Sequence, residues 1–166
     1  MTKITLKGNE IETSGQLPAV GAKAPAMTLT GRDLKDVTLA DYAGKKKVIS
    51  IFPSIDTGVC ATSVRTFNQR AAELDGVAVL NVSVDLPFAL NRFCGAEGIE
   101  NVQMGSTFRN PDFGRNYGLT MTDGPMAGLL ARAVVVVNGE GQVVHSQLVP
   151  ELADEPDYDE ALAAFG

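Results

Sequence analysis

Two apolar runs that do not alternate with polar residues constrain this chain most. Lys47-Val-Ile-Ser-Ile-Phe52 is the first, and Val77-Ala-Val-Leu-Asn-Val-Ser-Val-Asp85 is the second. A strand with one wet face alternates, so an unbroken run of this length reads as a strand covered on both faces. Pro53 ends the first run. Between the two, Val64, Phe67, Ala71 and Leu74 recur at three- and four-residue steps from Cys60 onward, while Arg65, Asn68, Gln69 and Glu73 fill the opposite side. That spacing predicts an amphipathic helix over 60–74, with Asp56 or Thr57 as its N-cap. A strand, a helix and a second buried strand imply a layered α/β protein.

The remaining segments extend this order. Ile4 to Thr13 alternates about Gly8-Asn9 and predicts a β-hairpin within residues 1–15. Residues 21–25 form a loop. Met27 to Thr30 is a short strand with a turn at Gly31-Arg32-Asp33, and a second short strand and a brief helical turn follow at 37–45. Asp85 is expected to cap a helix that starts near Pro87 and runs to about Glu97. A short helix over 112–117 stops at Gly118. Arg132 to Val149 predicts a hairpin about Asn138-Gly-Glu-Gly141, and Glu155 or Asp157 opens a last helix through Ala164. The expected fold class is α/β with a mixed central β-sheet flanked by helices, the order of a thioredoxin-like fold, plus the added N-terminal hairpin. Residues 1–166 are expected to form a single domain; there is no repeat, linker or low-complexity tract.

The formal net charge is -6, and Lys45-Lys46-Lys47 is the longest basic run. A chain without a basic face is a poor nucleic-acid binder, so no nucleic acid is expected among its partners. No apolar run approaches membrane-spanning length, and residues 1–15 hold no apolar leader segment, so no membrane association and a cytoplasmic location are expected. In that compartment a pair of cysteines is more often redox-active or metal-binding than structural.

Cys60 follows a buried strand and a polar loop and falls at the start of the predicted helix. A helix N-terminus offers unpaired N–H groups and about half a positive charge, which favour a thiolate, the nucleophilic form of cysteine. Thr57 can offer a hydroxyl to the sulfur or to an incoming oxygen, Gly58 lets the loop backbone approach closely, and Pro53 stiffens the strand exit. On the residues alone, Cys60 is either such a nucleophile or a small buried hydrophobe. Cys94 lies too far along the chain for a Cys-x-x-Cys motif. Gly95 and Gly98 weaken its helix by about 1 kcal/mol each, which suits either a segment that moves or an ordinary helix end. Arg132, against the Ala133-Val-Val-Val-Val137 strand, is a charge that needs a partner or a function.

Other chemistries fit less well. His145 is a strand residue, and nothing local marks a Cys–His hydrolase. Two distant cysteines and one histidine supply no tight zinc-ligand pair, so no metal site is expected. Gly44-Lys45 lacks the earlier glycine of a phosphate loop. A redox-sensing interaction protein would use the same two cysteines without turnover, and a thioredoxin-fold reductase would need Cys-x-x-Cys.

Pro53, Thr57 and Cys60 resemble the peroxiredoxin motif Pro-x-x-x-Thr-x-x-Cys, and Gly21-Ala-Lys-Ala-Pro25 resembles that family's early Gly-x-x-Ala-Pro. The segments 52–60, 85–98, 106–118 and 124–137, with the N-terminal hairpin, are similar to the bacterial thiol peroxidase subfamily over nearly the whole chain. The resemblance implies a two-cysteine mechanism without metal or organic cofactor. Cys60 would be the peroxidatic cysteine, Thr57 its hydroxyl partner, Pro53 its shield, Arg132 the cation for thiolate and peroxide, and Cys94 the resolving cysteine. It also implies hydroperoxide substrates, organic ones favoured, a thioredoxin-like reductant and a homodimer. Joining sulfurs on two packed helices would require local opening at both.

Overall fold

In a computed structural model that describes residues 2–164, the two apolar runs are neighbouring parallel strands at the centre of a sheet. The chain begins with a separate two-stranded hairpin, β1 (Lys3–Leu6) and β2 (Asn9–Glu12). Its turn residues are Lys7 and Gly8, both with positive φ, as a two-residue hairpin turn with the strands' right-handed twist demands. The turn therefore sits one residue before the expected Gly8-Asn9.

The main sheet contains β3 (Thr28–Gly31), β4 (Asp36–Thr38), β5 (Lys46–Ile51), β6 (Val77–Ser83), β7 (Gln103–Ser106), β8 (Ala133–Val137) and β9 (Val143–Leu148), in the order β4-β3-β7-β6-β5-β8-β9. β5, β6 and β7 are parallel, and the pairings that add β3, β4, β8 and β9 are antiparallel. The sheet is thus mixed, as expected, and the fold is thioredoxin-like with an extra N-terminal hairpin. Successive residues of β5 enter different cores. Ile49 and Ile51 face one with Leu80, Val82 and Val135, and also Ile4 and Ile11 of the hairpin. Val48 and Phe52 face the other with Val64, Phe67, Leu90, Cys60 and Cys94. Burial on both faces is why the sequence pattern does not alternate.

Helices α1 (Gly58–Ala71), α2 (Pro87–Glu97), α3 (Asp112–Asn116) and α4 (Tyr158–Ala163) complete the chain. α1 ends three residues before the expected Leu74, because Glu73 and Leu74 donate back to the carbonyls of Arg70 and Ala71 in a tightened last turn. α2 has the expected bounds, but its N-cap is Leu86 and not Asp85. Gly118 follows α3 at φ 69°, and Asp157 caps α4 by accepting from the Glu160 amide at 3.0 Å. β7 is absent from the sequence reading. Its four residues, Gln-Met-Gly-Ser, carry one large apolar side chain, so only pairing with β6 and β3 makes them a strand. Gly105 is required there, because a Cβ would lie 2.7 Å from Leu29 Cδ1.

Candidate active site

The loop that joins β5 to α1 leaves the sheet at its C-terminal edge, where βα loops of α/β folds build their sites. Pro53 is buried at the start of this loop, and Thr57 is the N-cap residue of α1. Cys60 is the third helical residue, so its own N–H is among the amides without an intrahelical partner. Its side chain is fully buried.

Arg132, from the segment just before β8, comes to this sulfur across the sheet. Nη1 donates to Cys60 Sγ at 3.4 Å. Nε and Nη2 both donate to the Leu152 carbonyl, at 3.1 and 2.9 Å. One planar guanidinium is therefore fixed by a fork on one oxygen and aims its remaining edge at the sulfur. Leu152 is itself held by the N-terminal hairpin: its amide donates to the Thr5 carbonyl at 2.8 Å, and the Thr5 amide donates to the Pro150 carbonyl at 2.8 Å. Glu151, beside it, accepts from the Ala153 and Gly8 amides, which hold its carboxyl below the usual range. The hairpin thus braces the oxygen that orients Arg132.

Thr57 is exposed, and its hydroxyl donates to the Ser54 carbonyl at 3.0 Å rather than to the sulfur. His145 sits on β9 opposite Val136, and among the described residues no hydrogen bond connects it to Cys60. No group of three His, Cys, Asp or Glu side chains among the described residues could hold a metal ion.

Cys94 lies in the last turn of α2, in the same apolar core as Cys60, and both cysteines are free thiols. The Cys94 carbonyl accepts from Gly98, a left-handed cap at φ 65°, and from Ile99 at 3.0 Å. Moving Cys94 therefore undoes the end of its helix. Burial pushes the Cys94 thiol up from its ordinary value, and the nearby Arg32 guanidinium pulls against that. Two exposed ion pairs tie α2 to the Cys60 side: Arg92 with Asp56 at 3.2 Å, and Glu97 with Arg65 at 2.7 Å. Exposed pairs of this kind contribute about 0–1 kcal/mol each, so they guide docking without locking it.

A buried cysteine at a helix N-terminus, faced by a fixed guanidinium, gathers a sulfur and preorganised hydrogen-bond donors at one point, an arrangement suited to receive negative charge on an adjacent oxygen. The redoxin family model matches residues 19–162. Thiol peroxidase of Mycobacterium tuberculosis is 60% identical over 166 residues, covering 100% of this chain and 99% of that protein. The chain belongs to the redoxin family and, within it, to the thiol peroxidases. It is therefore an enzyme. A peroxiredoxin-like protein from Aquifex aeolicus has the same fold, with a TM-score of 0.92, 40% identity, and coverage of 98% of this chain and 95% of that one. A thiol peroxidase from Chromobacterium violaceum superposes with a TM-score of 0.91 at 21% identity, over 98% of this chain and 94% of that one, a likeness of fold.

One part of this thiol peroxidase's site was hidden in the sequence. The Asp85 carboxylate, expected to cap α2, instead accepts from Ser54 Oγ at 2.8 Å, from the Ile55 amide at 2.7 Å and from Ser83 Oγ at 2.6 Å. It hooks the Cys60 loop to the end of β6, where α2 begins. An aspartate just before a proline-led helix signals a cap; only the parallel pairing of β5 with β6 brings Ser54 within its reach. An amide has one acceptor oxygen and two donors facing the wrong way, so Asp85→Asn should leave at least one of these donors unmatched. Hydrogen bonds to charged groups contribute about 1.5–3 kcal/mol. The expected result is a loss of stability near that range in chemical denaturation and a severalfold slower single-turnover reaction with peroxide. Wild-type values in both measurements would remove Asp85 from any role in holding the loop.

Proposed function

We propose that this enzyme reduces hydrogen peroxide and organic hydroperoxides to water and alcohols through Cys60, with Cys94 as resolving cysteine and a thioredoxin-like dithiol protein as reductant. The observation that carries the reading is the 3.4 Å contact of the oriented Arg132 guanidinium with a sulfur at the start of α1.

In the first step the Cys60 thiolate attacks the distal oxygen of ROOH. The S–O bond forms, the O–O bond breaks, and the alkoxide leaves and takes up a proton to give ROH. Charge builds on the leaving oxygen beside the Cys60 N–H and Arg132, donors fixed in place before the reaction, which is where electrostatic stabilisation is most effective. The Thr57 hydroxyl can turn from the Ser54 carbonyl to the peroxide. Pro53 covers the strand exit and limits water. Cys60 is left as a sulfenic acid.

In the second step the Cys94 thiolate attacks the Cys60 sulfur. The S–S bond forms, the S–O bond breaks, and hydroxide leaves and is protonated to water. Both cysteines sit in intact helices in the reduced protein. Resolution therefore proceeds through local opening of the first turn of α1 and of the last turn of α2. Segments that open in this way belong to the low-stability part of a fold. Gly58, Gly95 and the Gly98 cap reduce the side chain that must repack when the turns open, and the two exposed ion pairs beside them are weak. The external dithiol then reduces the disulfide by exchange. No metal or organic cofactor takes part in this scheme. We place the enzyme in the cytoplasm, as a homodimer; no helix among the described residues is long and apolar enough to cross a membrane.

Peroxide consumption coupled to a thioredoxin system tests the scheme through Cys94→Ser. That variant should react once, leave Cys60 as a trappable sulfenic acid seen by mass spectrometry, and then stop. Continued turnover at the wild-type rate would take the resolving role away from Cys94.

A further inference from the structure

Arg132 is aimed by a single oxygen. Among the described residues no carboxylate pairs with it. Nε and Nη2 go to the Leu152 carbonyl, and Nη1 goes to Cys60 Sγ. A guanidinium is planar and rigid, so the place of that carbonyl sets where Nη1 points. Leu152 belongs to a strap, residues 149–153, that follows β9. At its start the strap returns to Arg132 itself, where the Val149 amide donates to the Arg132 carbonyl at 3.0 Å. Further on it lies beside β1, where Thr5 and Glu151 form a parallel bridge through the backbone bonds of Thr5 to Pro150 and Leu152. Burial of Ile4 and Ile11 attaches the hairpin to the core. Apolar burial has no direction, however, so it does not by itself fix where the hairpin holds the strap.

Glu151 supplies the direction. Its Oε1 accepts from the Gly8 amide at 2.9 Å and from the Thr5 hydroxyl at 3.3 Å, and its Oε2 accepts from the Ala153 amide at 2.9 Å. One carboxylate thus joins the hairpin turn, β1 and the residue that follows Leu152. Among the described residues it pairs with no lysine or arginine. Its charge acts on these donors alone, and hydrogen bonds to an ionised acceptor are about twice as strong as neutral ones. We propose that Glu151 is a positioning residue for the peroxidase reaction: its carboxylate locks the N-terminal hairpin onto the strap and so fixes the carbonyl that aims Arg132 at Cys60. The inference rests on the role given to Arg132 above.

The hairpin, which adds no residue to the contact with Cys60, then acts on the chemistry through two hydrogen-bonded links, Glu151 to the strap and Leu152 to Arg132. Glu151→Gln keeps the shape and removes the charge. The Gly8 and Ala153 amides each point at their own carboxylate oxygen, whereas a carboxamide has one acceptor oxygen, and its NH₂ would face the other amide. The two Thr5 backbone bonds remain, so the strap shifts without coming free. A misplacement of about 1 Å at a reacting centre costs about 100-fold in rate. A partial shift of the Leu152 carbonyl should therefore slow the attack on peroxide about 3- to 10-fold.

The test is a double-mutant cycle of Glu151→Gln with Arg132→Met, read by stopped-flow single-turnover reaction with hydrogen peroxide. Denaturant titration of every variant shows that the fold is intact under the assay conditions. A residue that acts through Arg132 has nothing left to aim once the guanidinium is gone. Glu151→Gln should therefore slow the wild type about 3- to 10-fold and change the rate of Arg132→Met by less than about twofold, the scatter of independent sites. Its effect on stability should persist in both backgrounds, because the hook to the hairpin is lost in each. If the double variant does not fold, Arg132→Lys takes the place of Arg132→Met as the background. A wild-type rate in Glu151→Gln would overturn the proposal, and so would the same slowing with and without Arg132. Failure of the Arg132 reading itself would show separately, as a wild-type rate in the single Arg132→Met variant.

Discussion

Cys60→Ser should lose peroxide reduction altogether. A serine hydroxyl at this position is not ionised near neutral pH, and neither the helix N-terminus nor Arg132 can bridge the gap between an alcohol and a thiolate. Removing the nucleophile from a site that otherwise stays intact costs on the order of 10⁵-fold or more in rate. The substitution exchanges sulfur for oxygen in a fully buried position, and the new hydroxyl can accept from Arg132 Nη1 as the sulfur does. The fold should therefore persist, with a melting temperature close to that of the wild type. The measurement is consumption of hydrogen peroxide and of an organic hydroperoxide with a thioredoxin system. Residual turnover above background with either substrate would refute Cys60 as the nucleophile.

Arg132→Met should follow in size. It removes a donor aimed at the Cys60 sulfur while keeping most of the side-chain volume. Loss of one preorganised donor of this kind costs about 10²–10³ in rate, or about 2.7–4 kcal/mol. The structural cost runs through Leu152, whose carbonyl accepts two of the guanidinium N–H groups and would be left without them. An unsatisfied buried acceptor costs about 1–3 kcal/mol, against a total stability of about 5–15 kcal/mol for a domain. The variant should therefore remain folded yet react slowly. Arg132→Lys should rescue little, since one ammonium cannot both fork onto the Leu152 carbonyl and reach the sulfur. Stopped-flow single-turnover kinetics beside denaturant titration separates the two effects. A rate loss no larger than the stability loss would reduce Arg132 to a structural residue.

Both expectations turn on residues that the sequence singles out for different reasons. Cys60 is visible because a buried strand, a stop at Pro53, a polar loop and a helical period follow each other within a few residues, so its place at a helix start is a local fact. Arg132 is visible only as an anomaly, a charge at the edge of an apolar strand, and its resemblance to a family arginine supplies the partner. Thr57 is placed correctly as the N-cap residue, but its hydroxyl is committed to the Ser54 carbonyl, a choice made by the loop's own turn. Asp85 reads as a helix cap and acts as a loop hook, because the two have the same local sequence.

The local physics of the chain determined the two central strands, the N-terminal and 132–149 hairpins, the bounds of α2, and Cys60 at a helix entrance, since each follows from a periodicity or a turn residue within a dozen positions. Tertiary structure alone decided the rest. β7 becomes a strand because β6 and β3 offer it hydrogen bonds on both edges. Arg132 reaches Cys60, 72 residues away, because β8 pairs antiparallel to β5 and the hairpin fixes Leu152. Contacts of this length depend on strand order and register, which are set by how whole layers bury their faces, and no local pattern encodes them.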